Sequence, residues 1–361
     1  MASNFNDDLR DFLIIKSHYI QRLENGTVKD LLVPYKRARK TIKERLSILE
    51  ARLEEQVFLQ ARIDRLNMEL AEIDNILKIA SIESAQSIDS IREEVAIIER
   101  DSLMEKLGVA YGKIGVDVVQ LPYSSINFIL TNPILGESIG DKLLWLEAEV
   151  VRKMKQELTQ SIILGEDVRR ATNRLLGVGE AFGGELGQKI INRASMIART
   201  ELLHVSNSIN KAVFDENRDV IKGIEYVATL DKRTCPVCGP LDGTAYYYDA
   251  DGAIKGNYIQ LPQHPRCRCL YIPITYTWSE LAQQQGIEIK GQTKKDYFSG
   301  WEEKTYTYND WLKDQSEAFQ KDVLGKTRYK MWIEGDIEFE DMPIQTTSYS
   351  IDEYRNSISS L

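Results

Sequence analysis

The feature that most constrains this chain is the placement of its cysteines. All four, Cys235, Cys238, Cys267 and Cys269, fall in one short window, with His264 among them. The window reads Cys235-Pro236-Val237-Cys238, an insert, then His264-Pro265-Arg266-Cys267-Arg268-Cys269. Two cysteines separated by two residues can turn both sulfurs toward one ion, and zinc takes four nitrogen or sulfur ligands tetrahedrally at roughly 2.0–2.3 Å. Cys267 and Cys269 are i and i+2, so they point the same way on an extended strand. His264 can swing in from a loop. Five candidates therefore compete for four places, and the spacing does not choose among them. The expectation is a closed structural site with zinc as the ion. A catalytic zinc needs an open position and a nearby general base, and no second histidine lies close in sequence.

Two plainer readings compete with a metal: a pair of disulfides, or four unlinked structural thiols. The first ten residues are polar and acidic, without the basic-then-apolar order of a signal peptide. Thiols are therefore expected to stay reduced. The crowding of every cysteine into one window argues against independent structural roles.

The 361 residues exceed what one core usually holds. With 46 basic and 55 acidic side chains the net charge is -9, which argues against a chain built mainly to coat nucleic acid while leaving room for a local basic face. No apolar run reaches the roughly 18 residues of a membrane span. The expected fold class is mostly α, with a small α+β module stapled by zinc and a long N-terminal helical hairpin or coiled coil. Three consecutive regions are expected: helical residues 1–138, residues 139–276 carrying the metal-binding β module, and a helical extension with a tail over 277–361.

Residues 5–107 read as helix almost throughout. Asn25-Gly26 predicts a break and Pro34 an interruption. Ile42, Leu49, Gln56, Ile63, Leu70 and Leu77 repeat every seven residues, with Leu46 and Leu53, then Leu66 and Ile73, completing a seam. The seam turns polar from Gln56 to Gln60, which reads as a stutter within one long helix. The bend into the next helix is expected at Ser81–Ser90. The seam fits an amphipathic core face as well as an intermolecular coil. Residues 108–138 read as irregular, punctuated by glycine and proline. Helices are predicted at 140–164, 166–176 and 186–217.

Strand signals follow at 224–230, 245–248 and 269–276. Thr277-Trp278-Ser279-Glu280 has the capping-box pattern. One helix is predicted from Asp310 to Leu324, stopped by Gly325, and residues 344–361 are expected to drape over a neighbour or stay mobile.

Taken in order, several motifs resemble the MuF-type phage head morphogenesis proteins, also called minor capsid proteins. These are Ile197-Ala198-Arg199-Thr200-Glu201, Thr229-Leu230-Asp231-Lys232-Arg233-Thr234-Cys235-Pro236-Val237-Cys238, Leu241-Asp242-Gly243 and Pro262-Gln263-His264-Pro265-Arg266-Cys267-Arg268-Cys269. Trp311-Leu312-Lys313-Asp314-Gln315 and Val323-Leu324-Gly325-Lys326-Thr327-Arg328-Tyr329 resemble the C-terminal extension of many members. The resemblance covers about residues 190–345 and rests on motif order. It implies a virion protein of a tailed phage, present in few copies in the head interior near the portal vertex after assembly in the host cytoplasm. Its implied partners are the portal protein and the major capsid or scaffold protein, with phage DNA and a second copy of the chain as further candidates and no membrane.

Some MuF-type chains are fused to toxin domains, including ADP-ribosyltransferases, which use an arginine, a Ser-Thr-Ser strand and a Glu-x-Glu pair. This sequence has no Ser-Thr-Ser, and Glu338-Phe339-Glu340 is an isolated match. The reading adopted is therefore non-enzymatic, with Arg199, Glu201 and Asp231 as a structural ion pair; an ADP-ribosyltransferase-like or other effector carried in the virion is the alternative. A nuclease of the His-Asn-His type needs a histidine base beside a second metal, and only His204 lies near. Arg233, Arg266 and Arg268, beside Lys232, are the candidate DNA contacts. Lys36, Arg37, Arg39, Lys40, Lys43 and Arg45 form a second basic cluster.

Overall fold

A computed structural model describes residues 5–56, 58–112, 115–132, 137–177, 184–228, 235–254, 256, 258–285, 308–337 and 348–361. The chain is mostly helical. In order come α1 (Phe5–Glu54), α2 (Leu59–Gly112), α3 (Tyr123–Thr131), α4 (Ile139–Leu164), α5 (Val168–Leu176) and α6 (Gly184–Glu216), then strands β1 (Ile221–Val227), β2 (Ala245–Tyr247) and β3 (Leu270–Thr275), then α7 (Trp278–Gln285), α8 (Tyr308–Asp314), α9 (Glu317–Leu324), α10 (Lys326–Ile333) and α11 (Ile351–Ser359). The chain forms two compact units. One comprises residues 24–93 and 132–201; the other comprises residues 1–23, 94–131 and 202–361.

The first of these is a helical bundle built on the antiparallel arms of α1 and α2. Tyr35 pairs with Ser81, Ser84 Oγ donates to the Leu31 carbonyl at 3.0 Å, and Arg45 pairs with Glu69 at 2.9 Å, so residue numbers fall on one arm as they rise on the other. The seam residues Ile42, Leu46, Leu49, Leu53, Leu66, Leu70, Ile73 and Leu77 are all buried in a core shared with residues of α4, α5 and α6.

Three expectations are corrected here. Neither Asn25-Gly26 nor Pro34 breaks α1. A mid-helix proline costs about 3 kcal/mol and a glycine about 1, and burial of Leu31, Leu32 and Tyr35 on either side of Pro34 outweighs it. The polar seam at Gln56–Gln60 is not a stutter in one helix: the chain turns there, between Glu54 and Leu59. Ser81–Ser90 is therefore no bend. It runs inside α2, where Ser81 and Ser84 make interhelical hydrogen bonds.

The basic cluster of α1 is largely used within the same unit. Arg39 donates to the carbonyls of Leu176 and Gly177, and Lys43 donates to Gly177 at 2.6 Å, so both cap the C-terminus of α5. Arg37 pairs with Glu83.

The other unit contains the three-stranded sheet, in the order β2-β1-β3 with antiparallel pairing throughout. Ile224 of β1 faces Tyr246 of β2 on one side and Pro273 of β3 on the other. Gly223 is required where it stands, because a Cβ there would lie 2.5 Å from the Tyr246 carbonyl oxygen. All of β3 is buried. A buried ion pair, Lys16 to Glu99 at 2.8 Å, lies among the helices of this unit, and Lys16 also donates to Asn210 of α6.

The tail departs from expectation in two ways. Ser316 caps α9, so the predicted helix from Asp310 to Leu324 is two helices rather than one. Residues 351–359 form α11 behind a Ser350–Glu353 capping box, and buried Tyr354 donates its hydroxyl to Glu99. α3 falls in a stretch read as irregular, just after Pro122; proline is compatible with a helix start, where its missing N–H is not needed. The capping box at Thr277 is present, with Glu280 N–H donating to Thr277 and Thr277 N–H to the Glu280 carboxylate.

Candidate metal centre

The sheet gathers the chemistry-bearing residues of the second unit at one end. After β1 the chain makes a tight turn through Cys235-Pro236-Val237-Cys238. The N–H groups of Cys238 and Gly239 both donate to the Cys235 carbonyl at 3.1 Å, and the Cys238 N–H also lies 3.3 Å from the Cys235 sulfur. A short 3-10 turn, Gly239–Leu241, follows. Asp242 then fixes this loop to the sheet, since its Oδ1 accepts the Ala228 N–H at 2.7 Å. The Gly243 N–H donates to the Tyr226 carbonyl, closing the path into β2.

The second donor segment enters through a cis Leu261–Pro262 bond and turns at His264, whose carbonyl accepts the Cys267 N–H at 3.1 Å. Arg266 adopts a left-handed conformation there, with φ 61°. β3 begins directly after Cys269, and Asn207 of α6 holds that start by donating to the Cys269 carbonyl at 3.1 Å.

Two donor groups result, sharing Cys238. In one, the ligand atoms of Cys235, Cys238 and His264 lie within 4.8 Å of one another; in the other, those of Cys238, Cys267 and Cys269 do. His264 Nε2 lies 3.1 Å from both the Cys235 and Cys238 sulfurs. A zinc ion with tetrahedral bonds implies ligand separations of about 3.5–3.8 Å, so the cluster has the right scale to hold a metal ion. All four cysteines carry free thiols, and Cys238, Cys267 and Cys269 are buried.

Three further observations bear on the fit. His264 Nδ1 lies 2.9 Å from the Pro265 carbonyl, which only accepts, so Nδ1 carries the proton and Nε2 presents its lone pair to the sulfurs. A backbone carbonyl on the far nitrogen is the usual second partner of a metal-bound histidine. Second, protons alone leave the thiols in conflict. The hydrogen bond from Cys269, against the cost of burial, holds Cys267 down at about 5, and the same pairing, with burial, pushes Cys269 far above the thiol range. Burial raises Cys238 to about 11. Burial also opposes ionisation of Cys235, but hydrogen bonds from the Cys238 side chain and nearby backbone N–H groups leave it below its ordinary value. A cation would resolve this conflict by allowing several thiolates to coexist. Third, the buried hydroxyl of Tyr226 faces Cys238 and Cys269 without a hydrogen-bond partner of ordinary geometry.

The remaining predicted residues distribute differently. Asp231 and Arg233 lie outside the described residues. Arg199 and Glu201 do not pair with each other, because residues two apart on a helix do not face one another. Within the helical unit, Arg199 donates to Asn25 at 2.9 Å, while buried Glu201 binds Lys142 at 2.7 Å and Arg92 at 3.6 Å. Arg266 is exposed and Arg268 half-buried, both beside the donor segment. His204 is buried on α6, with Nδ1 3.2 Å from the Ser208 hydroxyl.

Two residues that position the site, Asn207 and Asp242, and a third beside it, Tyr226, were not singled out from the sequence. Asp242 sits in the quoted Leu241-Asp242-Gly243 motif, so its presence was visible though its role was not. Tyr226 and Asn207 carried no local signal, since each acts on residues that only the fold brings near.

No curated protein and no solved structure matches the chain. Residues 152–272, from within α4 into β3 and including all five metal-donor candidates, match the family model described as Phage Mu protein F like protein. Through this stretch, about a third of its length, the chain is similar to the phage Mu protein F like family, in keeping with the resemblance carried by its motifs.

Proposed function

We propose that this chain is a non-enzymatic minor capsid protein of a tailed phage, acting in head morphogenesis, with a structural zinc ion at the cysteine cluster. The observation that carries the role is the family match over residues 152–272, which contains the whole donor set. The ion's part is architectural. Four donors would fill its shell and leave no open position for chemistry, and the donors come from two segments flanking β2, the first in the turn after β1 and the second just before β3. The chain's own residues do the rest: His264 is oriented by Pro265, the Cys235–Cys238 turn is held by its N–H bonds, and Asn207 fixes the Cys269 end.

The proposed location is the head interior near the portal vertex. The portal protein and the major capsid or scaffold protein are the proposed partners. Exposed Arg266 and half-buried Arg268 are the surface offered to DNA phosphates. Among the described residues no helix is long and apolar enough to cross a membrane.

Mass spectrometry of purified procapsids and virions, coupled to metal analysis of the purified protein, tests both halves. The expected result is the chain in heads at low copy number, with about one zinc per chain. Heads lacking the chain would overturn the morphogenetic role; metal-free purified protein would overturn the zinc site.

A further inference from the structure

The sheet carries an aromatic cluster that converges on the donor set. Tyr271 of β3 meets Tyr226 of β1 edge-on at 5.7 Å and Tyr246 of β2 edge-on at 6.1 Å, and it stacks on Tyr258 at 5.5 Å. Their hydroxyls have different surroundings. Tyr271 donates to the Ile259 carbonyl. Tyr226 is fully buried in the central strand, and its hydroxyl reaches toward the Cys238 and Cys269 sulfurs without completing an ordinary hydrogen bond. A buried hydroxyl without a partner is costly, so its persistence at this spot calls for an acceptor. A neutral thiol sulfur is a weak acceptor, whereas a thiolate accepts strongly because it is charged.

We infer that Tyr226 is a positioning residue of the metal centre, donating a hydrogen bond from its hydroxyl to a metal-bound thiolate of Cys238 or Cys269 and so coupling occupancy of the site to the aromatic cluster of the sheet. This rests on the zinc reading above. The donated hydrogen bond withdraws charge from a thiolate-rich shell and fixes one sulfur. Loss of an outer-shell partner of this kind typically weakens metal binding by 10–100-fold.

The test uses the full chain. Wild type and Tyr226→Phe are loaded with zinc and competed against a chelating dye, then loaded with cobalt to record the thiolate-to-metal charge-transfer band. The expected result is about tenfold weaker zinc retention in Tyr226→Phe, with a shifted band. A general loosening of the fold would not by itself move the band. Equal zinc retention with an unmoved band overturns the inference and leaves the zinc site standing. Failure of the wild type to take up either metal overturns both. Should Tyr226→Phe not fold, 3-fluorotyrosine placed at position 226 keeps the ring and strengthens the donor; it must then tighten zinc retention, and unchanged retention overturns the inference.

Discussion

The helical unit and the β module solve the same problem with different materials. In the helical unit, α1, α2, α4, α5 and α6 contribute to one continuous apolar core, in which each buried side chain is one of many. The β module has three strands, one of only three residues, and the loops on either side of β2 carry the donors. With the proposed zinc ion bound, its integrity would be concentrated in a few donor atoms and the bonds that orient them. The first arrangement spreads free energy over surface area and tolerates local faults, as the uninterrupted passage of α1 through Gly26 and Pro34 shows. The second concentrates it and should fail abruptly.

Substitution at the two sites should expose that contrast. The largest effect is expected for Cys238→Ser, at the vertex shared by both donor groups. Structural zinc in small modules contributes about 10–16 kcal/mol, so the variant should lose bound zinc and amide-exchange protection over β1–β3 while the helical circular-dichroism signal persists. Retained protection with zinc absent would show that the strands stand without an ion and would remove the contrast.

A smaller effect is expected for Ile73→Ala, which empties a fully buried position of the helical core. Such truncations cost about 2–5 kcal/mol. Thermal or denaturant unfolding should show a lowered midpoint with the native zinc content unchanged. Loss of zinc from this variant would mean that the two regions do not fail separately.

The smallest effect is a pH dependence of the helical unit. Glu147 of α4 is buried; burial first, then the charge of Asp74 on α2, raises it from 4.5 to about 7, opposed by Lys78. A carboxyl whose folded value is raised binds its proton more tightly when folded, so its contribution is most favourable below about pH 4.5 and falls as pH rises toward 7. Glu147→Gln mimics the protonated form. Its unfolding midpoint should match wild type near pH 4 and exceed it increasingly up to pH 8. Parallel curves across that range would show that Glu147 titrates normally.

The two regions also differ in how much of them could be read from residues alone. The donor window was legible because metal chemistry admits few residue types and the short-range spacing of Cys235 to Cys238 and of Cys267 to Cys269 is set by local geometry. Its supporting residues were not. Tyr226 is a strand tyrosine and Asn207 a helix asparagine until the fold brings them to sulfur and to the Cys269 carbonyl. In the helical unit the heptad residues identified the core face, yet the turn between α1 and α2 was misplaced. The polar interruption at Gln56 marked the end of one helix, whereas the serines near 81 face the partner arm.

The sequence by itself determined the periodic helical faces, the cap at Thr277, and the clustering of thiols with one imidazole, because each depends on neighbours a few residues away. The tertiary structure decided where the long helix reverses, that Glu201 binds Lys142 and Arg92 rather than Arg199, and that two donor groups meet at Cys238. Those outcomes depend on contacts between residues tens to hundreds of positions apart. Their free energy comes from burial and charge pairing that no local pattern encodes.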